Sequence, residues 1–540
     1  MITWIILTTV ILLLITYWVQ QRRKRLNIIK EIGLSGPKPG FLLGNFPEMG
    51  QKGLHKCLSE WTDKYGKTFG MYEGSNPIVV TSDVELLKVI LIKEFQNFPN
   101  RKPFPLDSDH DVYQDMLVAR NAKWRRLRNI SSPIFSGRRM KEMSPQINDV
   151  MDQVMLKLDD HSSSKCSFNI HSIFQTMTLD VIGCCAFGIK VNSVHNPKDV
   201  FLHECRKVFQ LSDKPNIIFI IMAVCYYIFP SLIKAFRRTF SYIPVPRDWL
   251  LARAKDMIEY RKANPSDRVD FIHLMLATQE NAIAKDSIGG HDDSSESDSG
   301  IDSLPSTPKI AKQTANFPMH NPAKTLTMEE MQGQCFLFII AGYETTSTAL
   351  AFVAYELALN PSIQTKMQQE IDEHFADFDE DVRPHYGSVK KLTYMDMVLH
   401  ETLRLHPIAQ LATTRQCSQS ITIGKLHLPA GINIQVNMAA VHMDPELWGP
   451  EDPKLFVPER FLPERKLHRH PMAYLAFGQG PRQCIGTRFA LMEAKIALVR
   501  ILKTYNIRRC DDTKVPLPIN LNAITGPSEG VHIVLEKRYS

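Results

Sequence analysis

The chain has 540 residues, 64 Lys and Arg against 57 Asp and Glu, a net charge of +7, and 44% apolar with 22% charged residues. That is enough apolar side chain for a large core, and its basic residues are interspersed with acidic ones, so nucleic-acid binding has little support. Ten cysteines are scattered without a C-x-x-C pair or metal-finger spacing, which argues for reduced thiols facing the cytosol, with adjacent Cys184 and Cys185 as small core residues. In chain order, the first element is Met1 to Gln20, which carries no charge and is followed at once by Arg22-Arg-Lys-Arg25. About 20 apolar residues span the roughly 30 Å hydrocarbon layer. A cleaved signal peptide would need a positive start, a shorter apolar core and a small-residue cleavage site, and none is evident. The reading is a transmembrane anchor over 1–20, with the basic side and the body of the protein in the cytosol. Residues 21–40 then form a basic stretch and a Pro/Gly hinge, Gly33-Leu-Ser-Gly-Pro37-Lys-Pro39-Gly40, too rich in breakers to continue a helix.

Residues 41–540 alternate helical and strand signals with helix dominant, and show no internal repeat; the class is mainly α with a small β region. Ile78–Thr81 is a short strand, and Val84 to Phe95 has helical spacing behind cap candidates Ser82 and Asp83. Trp124-Arg-Arg-Leu-Arg128 places an indole and a guanidinium four apart on one helix face, and Lys123, Arg125 and Arg126 are expected to face outward. A second apolar run, residues 216–229, is short for a span and flanked by charges; it is expected to lie partly immersed at the membrane surface. Residues 285–323 are acidic, Ser- and Pro-rich and poor in large apolar groups, so they cannot offset the entropy of ordering. They are expected to be a disordered insertion. Within it, Asp298-Ser-Gly-Ile-Asp-Ser303 resembles a phosphodegron recognised by ubiquitin ligases, a pattern that also recurs by chance in Ser/Asp-rich linkers. Ile421 to Met438 reads as two strands around Leu428-Pro-Ala-Gly431.

The chemistry sits in the last 200 residues. In Ala341-Gly-Tyr-Glu344-Thr345-Thr346-Ser347, an acid beside a hydroxyl in an apolar helix is costly unless both are partnered. Thr345 can bond back to the Ala341 carbonyl and loosen the helix, while Gly342 has no side chain to block a neighbour. Glu401-Thr-Leu-Arg404 places opposite charges at i,i+3. The most informative stretch is Phe477-Gly-Gln-Gly-Pro-Arg482-Gln-Cys484-Ile-Gly486, followed by a helical run from Thr487. A cysteine ligates metal as a thiolate, which needs positive charge and donors around the sulfur. The glycines let the loop approach a flat cofactor closely. The helix start aims N–H groups at the sulfur, and Arg482 can pair with an acidic group on the ligand.

These residues fill every fixed position of the haem-binding loop of the cytochrome P450 superfamily, F-x-x-G-x-R-x-C-x-G, and Ala341–Ser347 resembles its oxygen-binding helix. The local wording is most similar to the clan of drug- and steroid-oxidising microsomal enzymes and thromboxane synthase. The resemblance implies the cytochrome P450 fold behind a single N-terminal transmembrane helix. It implies a haem cofactor, iron protoporphyrin IX, with Cys484 as the thiolate ligand and Phe477 packed near the sulfur. Arg482, Trp124, Arg128, Arg101 and Arg415 are expected to contact its propionates, although Arg415 lies one residue further past Pro407 than in relatives. Thr345 would steady bound dioxygen and Glu344 would belong to the proton relay. Glu401, Arg404 and Arg460, the last in Phe456-Val-Pro-Glu-Arg460, resemble the family's buried structural triad. Phe104 to Leu117, Ile408 to Thr413 and Ile524-Thr525 are candidate pocket residues. The implied function is monooxygenation of a lipophilic xenobiotic, steroid or fatty acid at the endoplasmic reticulum membrane. Its electrons would come from NADPH through NADPH-cytochrome P450 reductase, which no G-x-G-x-x-G fuses to this chain; cytochrome b5 is left open as a second donor. The alternative is a reductase-independent lipid-peroxide isomerase of the thromboxane-synthase type.

Overall fold

The computed structural model describes residues 1–103, 115–189, 191–196, 198–213, 228, 246–265, 270–277, 325–376, 382–521 and 524–538. The apolar run 216–229 (apart from Ile228), the segment 285–323 and most of the loop from Phe104 lie outside these residues.

Helix α1 spans Ile2–Glu31 without a break at Gln20. Its apolar part is long enough to cross a membrane and has none of its residues buried against the protein. The basic residues continue the helix, and its last two turns dock on the body. Tyr72 donates its hydroxyl to the Leu26 carbonyl at 2.7 Å and accepts from the Ile29 amide. Ile29 packs where a Cβ on Gly70 would lie, 2.1 Å from its methyl. Arg22, almost fully buried, donates to the Phe41 carbonyl and to that of Leu42. The chain therefore leaves the helix at Ile32 and Gly33, whose φ of +80° no β-carbon favours. Gly70→Val is expected to expel Ile29 and cost about 1–3 kcal/mol. Faster proteolysis between residues 32 and 40 would show it; an unchanged cleavage rate would mean the anchor is not docked there.

Strands β1 (Thr68–Glu73) and β2 (Asn76–Thr81) form an antiparallel hairpin. β4 (Asn433–Val436) pairs parallel with β2, and β3 (Thr414–Gln416) closes the sheet antiparallel to β4, giving the order β1-β2-β4-β3. The hairpin expected around Leu428–Gly431 is displaced. Ile421–Ile423 pairs with Leu426–Leu428 across Gly424, whose φ is +59°, and the chain after Leu428 turns away to become β4. A tight two-residue turn needs that left-handed position, and Pro429 cannot donate to a ladder.

The core is helical. α2 (Asn121–Ser131), α3 (Gly137–Ser164), α4 (Ile170–Ile182), α5 (Val200–Asp213) and α6 (Pro246–Ala263) surround the 32-residue α7 (Met328–Leu359). α8 (Thr393–Leu405) and α9 (Thr487–Thr504) complete it. The helical run Ile170–Phe187, which begins with α4, and α7 are long and apolar enough to cross a membrane but are mostly buried inside the protein, so their hydrophobicity serves packing. α7 starts with a capping box between Thr327 and Glu330. The predicted helix after Asp83 forms with Asp83 as its cap, then widens into a π segment at Val89–Lys93.

Candidate functional site

The loop before α9 is built by its backbone. Gly478 N–H donates to Leu475 at 2.7 Å, Gln483 N–H to Gly480 at 3.0 Å and Cys484 N–H to Phe477 at 2.8 Å. Gly480 has φ +76°, and a Cβ there would stand 2.0 Å from the Leu91 carbonyl oxygen. The π segment carrying Leu91 thus accepts only glycine opposite it. Gly486 caps α9, and a Cβ on it would reach 4.0 Å from the Cys484 sulfur. Cys484 is exposed and borders a cavity of about 320 Å³ between the loop and α7, with Phe477 beside it.

Behind the loop stands the charged triad. Arg404 forks onto Glu401 with two bonds of 2.7 Å, and Arg460 approaches the same carboxylate at 3.3 Å; all three are almost completely buried. Glu401 also accepts the Val457 amide at 3.0 Å. One residue that the sequence reading passed over joins this network to the loop. His442 lies with Nδ1 3.1 Å from the Arg404 carbonyl, and its Nε2 accepts the Leu475 amide at 2.9 Å. Burial and then Arg404 push its pKa down to about 3, so the ring is neutral and its tautomer follows: Nδ1–H donates, Nε2 accepts. A single histidine with no motif around it offered no local signal.

Four guanidiniums converge on the cavity. Arg101, Arg128, Arg415 and Arg482 all line it with Trp124. Arg482 lies 4.2 Å over the Trp124 ring and donates to the Pro99, Met116 and Ala119 carbonyls. Arg101 donates to Ala412 and Leu117, and Arg128 to Gln483 at 2.9 Å. Among the described residues, the Arg415 side chain donates only to the Thr414 carbonyl, and its buried Nε has no partner. None of the four forms an ion pair with a carboxylate among the described residues. Burial, then the neighbouring arginines, drives the Arg482 pKa down to about 7, and Arg415 falls to about 9. Such a concentration of guanidiniums, without a carboxylate ion-pair partner among the described residues, could receive a group bearing two carboxylates. The remaining walls are apolar, including Ile182, Phe135, Leu337 and Phe338. A haem, flat and apolar with two propionates, fits this donor set. Of the candidate pocket residues, Met116, Leu117, Ile408, Ala409, Ala412 and Thr413 line the cavity, whereas Thr525 does not.

On α7, Thr345 donates to the Ala341 carbonyl at 2.6 Å and faces the cavity. Gly342 also borders the cavity, but its missing side chain makes room for Ile182, whose methyl would meet a Cβ at 2.3 Å. Glu344 turns the other way. It accepts from Gln175 at 3.2 Å and lines a separate polar cavity with His171 and Arg206. Successive helical residues point about 100° apart, so adjacency in sequence did not place both groups in one site. The basic segment on α2 also needs correcting. Arg126 turns inward, donating to the Thr325 carbonyl at 2.6 Å and pairing with Glu330, while Arg125 stays exposed. The buried carboxylate of the α7 capping box captures it.

An exposed cysteine on a glycine loop, facing a carboxylate-receiving cavity under a back-bonded threonine, defines a haem-thiolate protein. The family model for cytochrome P450 matches residues 34–295 and 309–534. Cytochrome P450 3A29 of Sus scrofa is 32% identical over 98% of this chain and 95% of its own length. Cytochrome P450 3A13 of Mus musculus is 32% identical over 97% and 94%, and cytochrome P450 3A5 of Homo sapiens 31% over 99% and 97%. The chain belongs to the cytochrome P450 family. Its cofactor is haem held by a cysteine thiolate, and it is an oxidoreductase of the monooxygenase class.

Proposed function

We propose that this protein is a membrane-anchored monooxygenase of the endoplasmic reticulum that inserts one oxygen atom of O2 into a lipophilic molecule, with Cys484 as the iron ligand. The observation that carries this is the meeting, in one cavity, of the Cys484 sulfur, Thr345 and four guanidiniums without carboxylate ion-pair partners among the described residues. Bound haem supplies the redox-active iron that activates dioxygen. Arg101, Arg128, Arg415, Arg482 and Trp124 receive its propionates and fix its orientation. Thr345 presents its hydroxyl to the oxygen side, and Glu344 stands behind the helix with Gln175, where the polar cavity can bring it protons. The apolar walls select substrate by excluding water and charge. Arg22 to Arg25 hold the body on the cytosolic side, where NADPH-cytochrome P450 reductase delivers electrons. The break at 296–308 in the family match falls inside segment 285–323 and supports reading it as an insertion.

The test is turnover of a panel of sterols, fatty acids and xenobiotics by purified protein with reductase. Product should require NADPH and carry oxygen from O2. Conversion of a fatty endoperoxide without NADPH would overturn the reading.

A further inference from the structure

The side of α7 that borders the cavity carries Leu337, Phe338, Ala341, Thr345 and Ala349, residues that helical periodicity places on one face. One turn closer to the helix start, the same face reaches Gln334, a fully buried polar side chain ahead of the apolar run Cys335 to Ile340. A buried amide is costly unless both its ends are bonded. Here both are. Its Oε1 accepts the Met116 N–H at 3.1 Å, and its Nε2 donates to the Glu330 carbonyl at 3.3 Å. Met116 borders the cavity, whereas Gln334 does not.

The turn that Gln334 holds forms part of the cavity wall. The Ala119 N–H closes it onto the Asp115 carbonyl at 2.8 Å, and the Asp115 carboxylate accepts the Leu117 N–H at 2.7 Å. Arg482 donates to the Met116 carbonyl at 3.4 Å and Arg101 to that of Leu117 at 3.0 Å. One side of the turn is thus fastened to the arginines of the site. Among the described residues, Gln334 supplies the hydrogen bond that fastens it to α7, the helix carrying Thr345. A methionine side chain has several rotatable bonds and adapts to its surroundings, so the position of the Met116 backbone decides what it covers. Remove the acceptor, and a buried N–H is left unsatisfied, which the turn relieves by moving.

We propose that Gln334 is a specificity-determining positioning residue. By holding the Met116 amide against α7, it fixes how far Met116 and Leu117 stand into the cavity, and so which bulky molecules fit between that wall and the helix. It acts through the turn and touches neither the bound molecule nor the cofactor. The proposal rests on the haem-thiolate monooxygenase reading.

It is tested in full-length haem-loaded protein with Gln334→Met, which keeps the shape and loses both hydrogen bonds, and with Gln334→Glu. A buried acid stays protonated, so the glutamate variant still accepts from Met116 and donates to Glu330. The probes are two iron-binding azoles followed by their Soret shifts: imidazole, which needs little room, and 1-tritylimidazole, whose phenyl rings press on the walls. In Gln334→Met the dissociation constant of 1-tritylimidazole should rise about tenfold. That of imidazole, and the red-shifted Soret band of the reduced carbon monoxide complex, should not change. Gln334→Glu should bind both azoles as the parent does. Met116→Ala should alter 1-tritylimidazole binding, and adding Gln334→Met to it should change little further. Hydrogen exchange at the Met116 to Ala119 amides should quicken in Gln334→Met alone. Unchanged 1-tritylimidazole binding in Gln334→Met, or equal weakening of both azoles, overturns the proposal. Should the methionine variant fail to hold haem, Gln334→Leu takes its place, and parent-like exchange and azole binding there overturn it equally. A parent protein without the Soret band would instead bring down the haem-thiolate reading beneath it.

Discussion

Cys484→Ser is expected to abolish the red-shifted Soret band of the reduced carbon monoxide complex and to take monooxygenation below detection. The substitution changes one atom at an exposed position, so the fold should survive it. The ligand does not survive, because a serine hydroxyl stays protonated where a thiol ionises, and only thiolate pushes the electron density that favours O–O cleavage. Haem should still enter the cavity, since the guanidiniums and apolar walls remain, but less tightly. The melting temperature should fall towards that of haem-free protein by the binding energy lost. A serine variant that kept the shifted band would show that another residue ligates the iron. Cys185 also lines the cavity, which makes the parallel Cys185→Ser variant, with its band intact, the necessary control.

Glu401→Ala should be the most damaging substitution for the fold. Among the described residues, it leaves Arg404 buried without a carboxylate and Arg460 with only that of Glu451 at 3.4 Å. Removing one partner of a buried ion pair costs about 3–5 kcal/mol, a large part of the roughly 5–15 kcal/mol that holds a domain together. The loss should reach the cysteine loop, since Arg404 also donates to the His442 carbonyl at 2.8 Å, and His442 holds the Leu475 amide. The expected result is little soluble protein and haem incorporation well below the parent. Arg404→Lys keeps the charge but not the fork and should fall between the two. Thermal unfolding and the haem-to-protein ratio measure both. Near-normal haem content in Glu401→Ala would mean that the triad does not support the loop.

Much of the site was legible because its parts are local. A cysteine between glycines, a threonine four residues past Ala341 and an indole four before an arginine are patterns whose geometry follows from turns and helices. The anchor was legible from apolar length. Adjacency in sequence did not tell which way a side chain faces. Glu344 and Thr345 are neighbours in sequence and face different cavities. Arg126 looked like an outward charge until Glu330, some two hundred positions away, claimed it. The basic stretch before the Pro/Gly hinge continues the N-terminal helix to Glu31, and Ile29 fills the space that Gly70 leaves.

By itself, the sequence determined the cofactor's ligand type, the membrane anchor and the helical class. These depend on residue identity at short spacing, where backbone geometry alone sets what can meet. The resemblance expected Arg101, Arg128, Arg415 and Arg482 in one site, but only the tertiary structure decided that they line it without a carboxylate ion-pair partner among the described residues. It alone decided that His442 ties the buried triad to the cysteine loop. Those relations join residues tens to hundreds of positions apart. They are set by which buried polar groups lack water and must find, or do without, a partner.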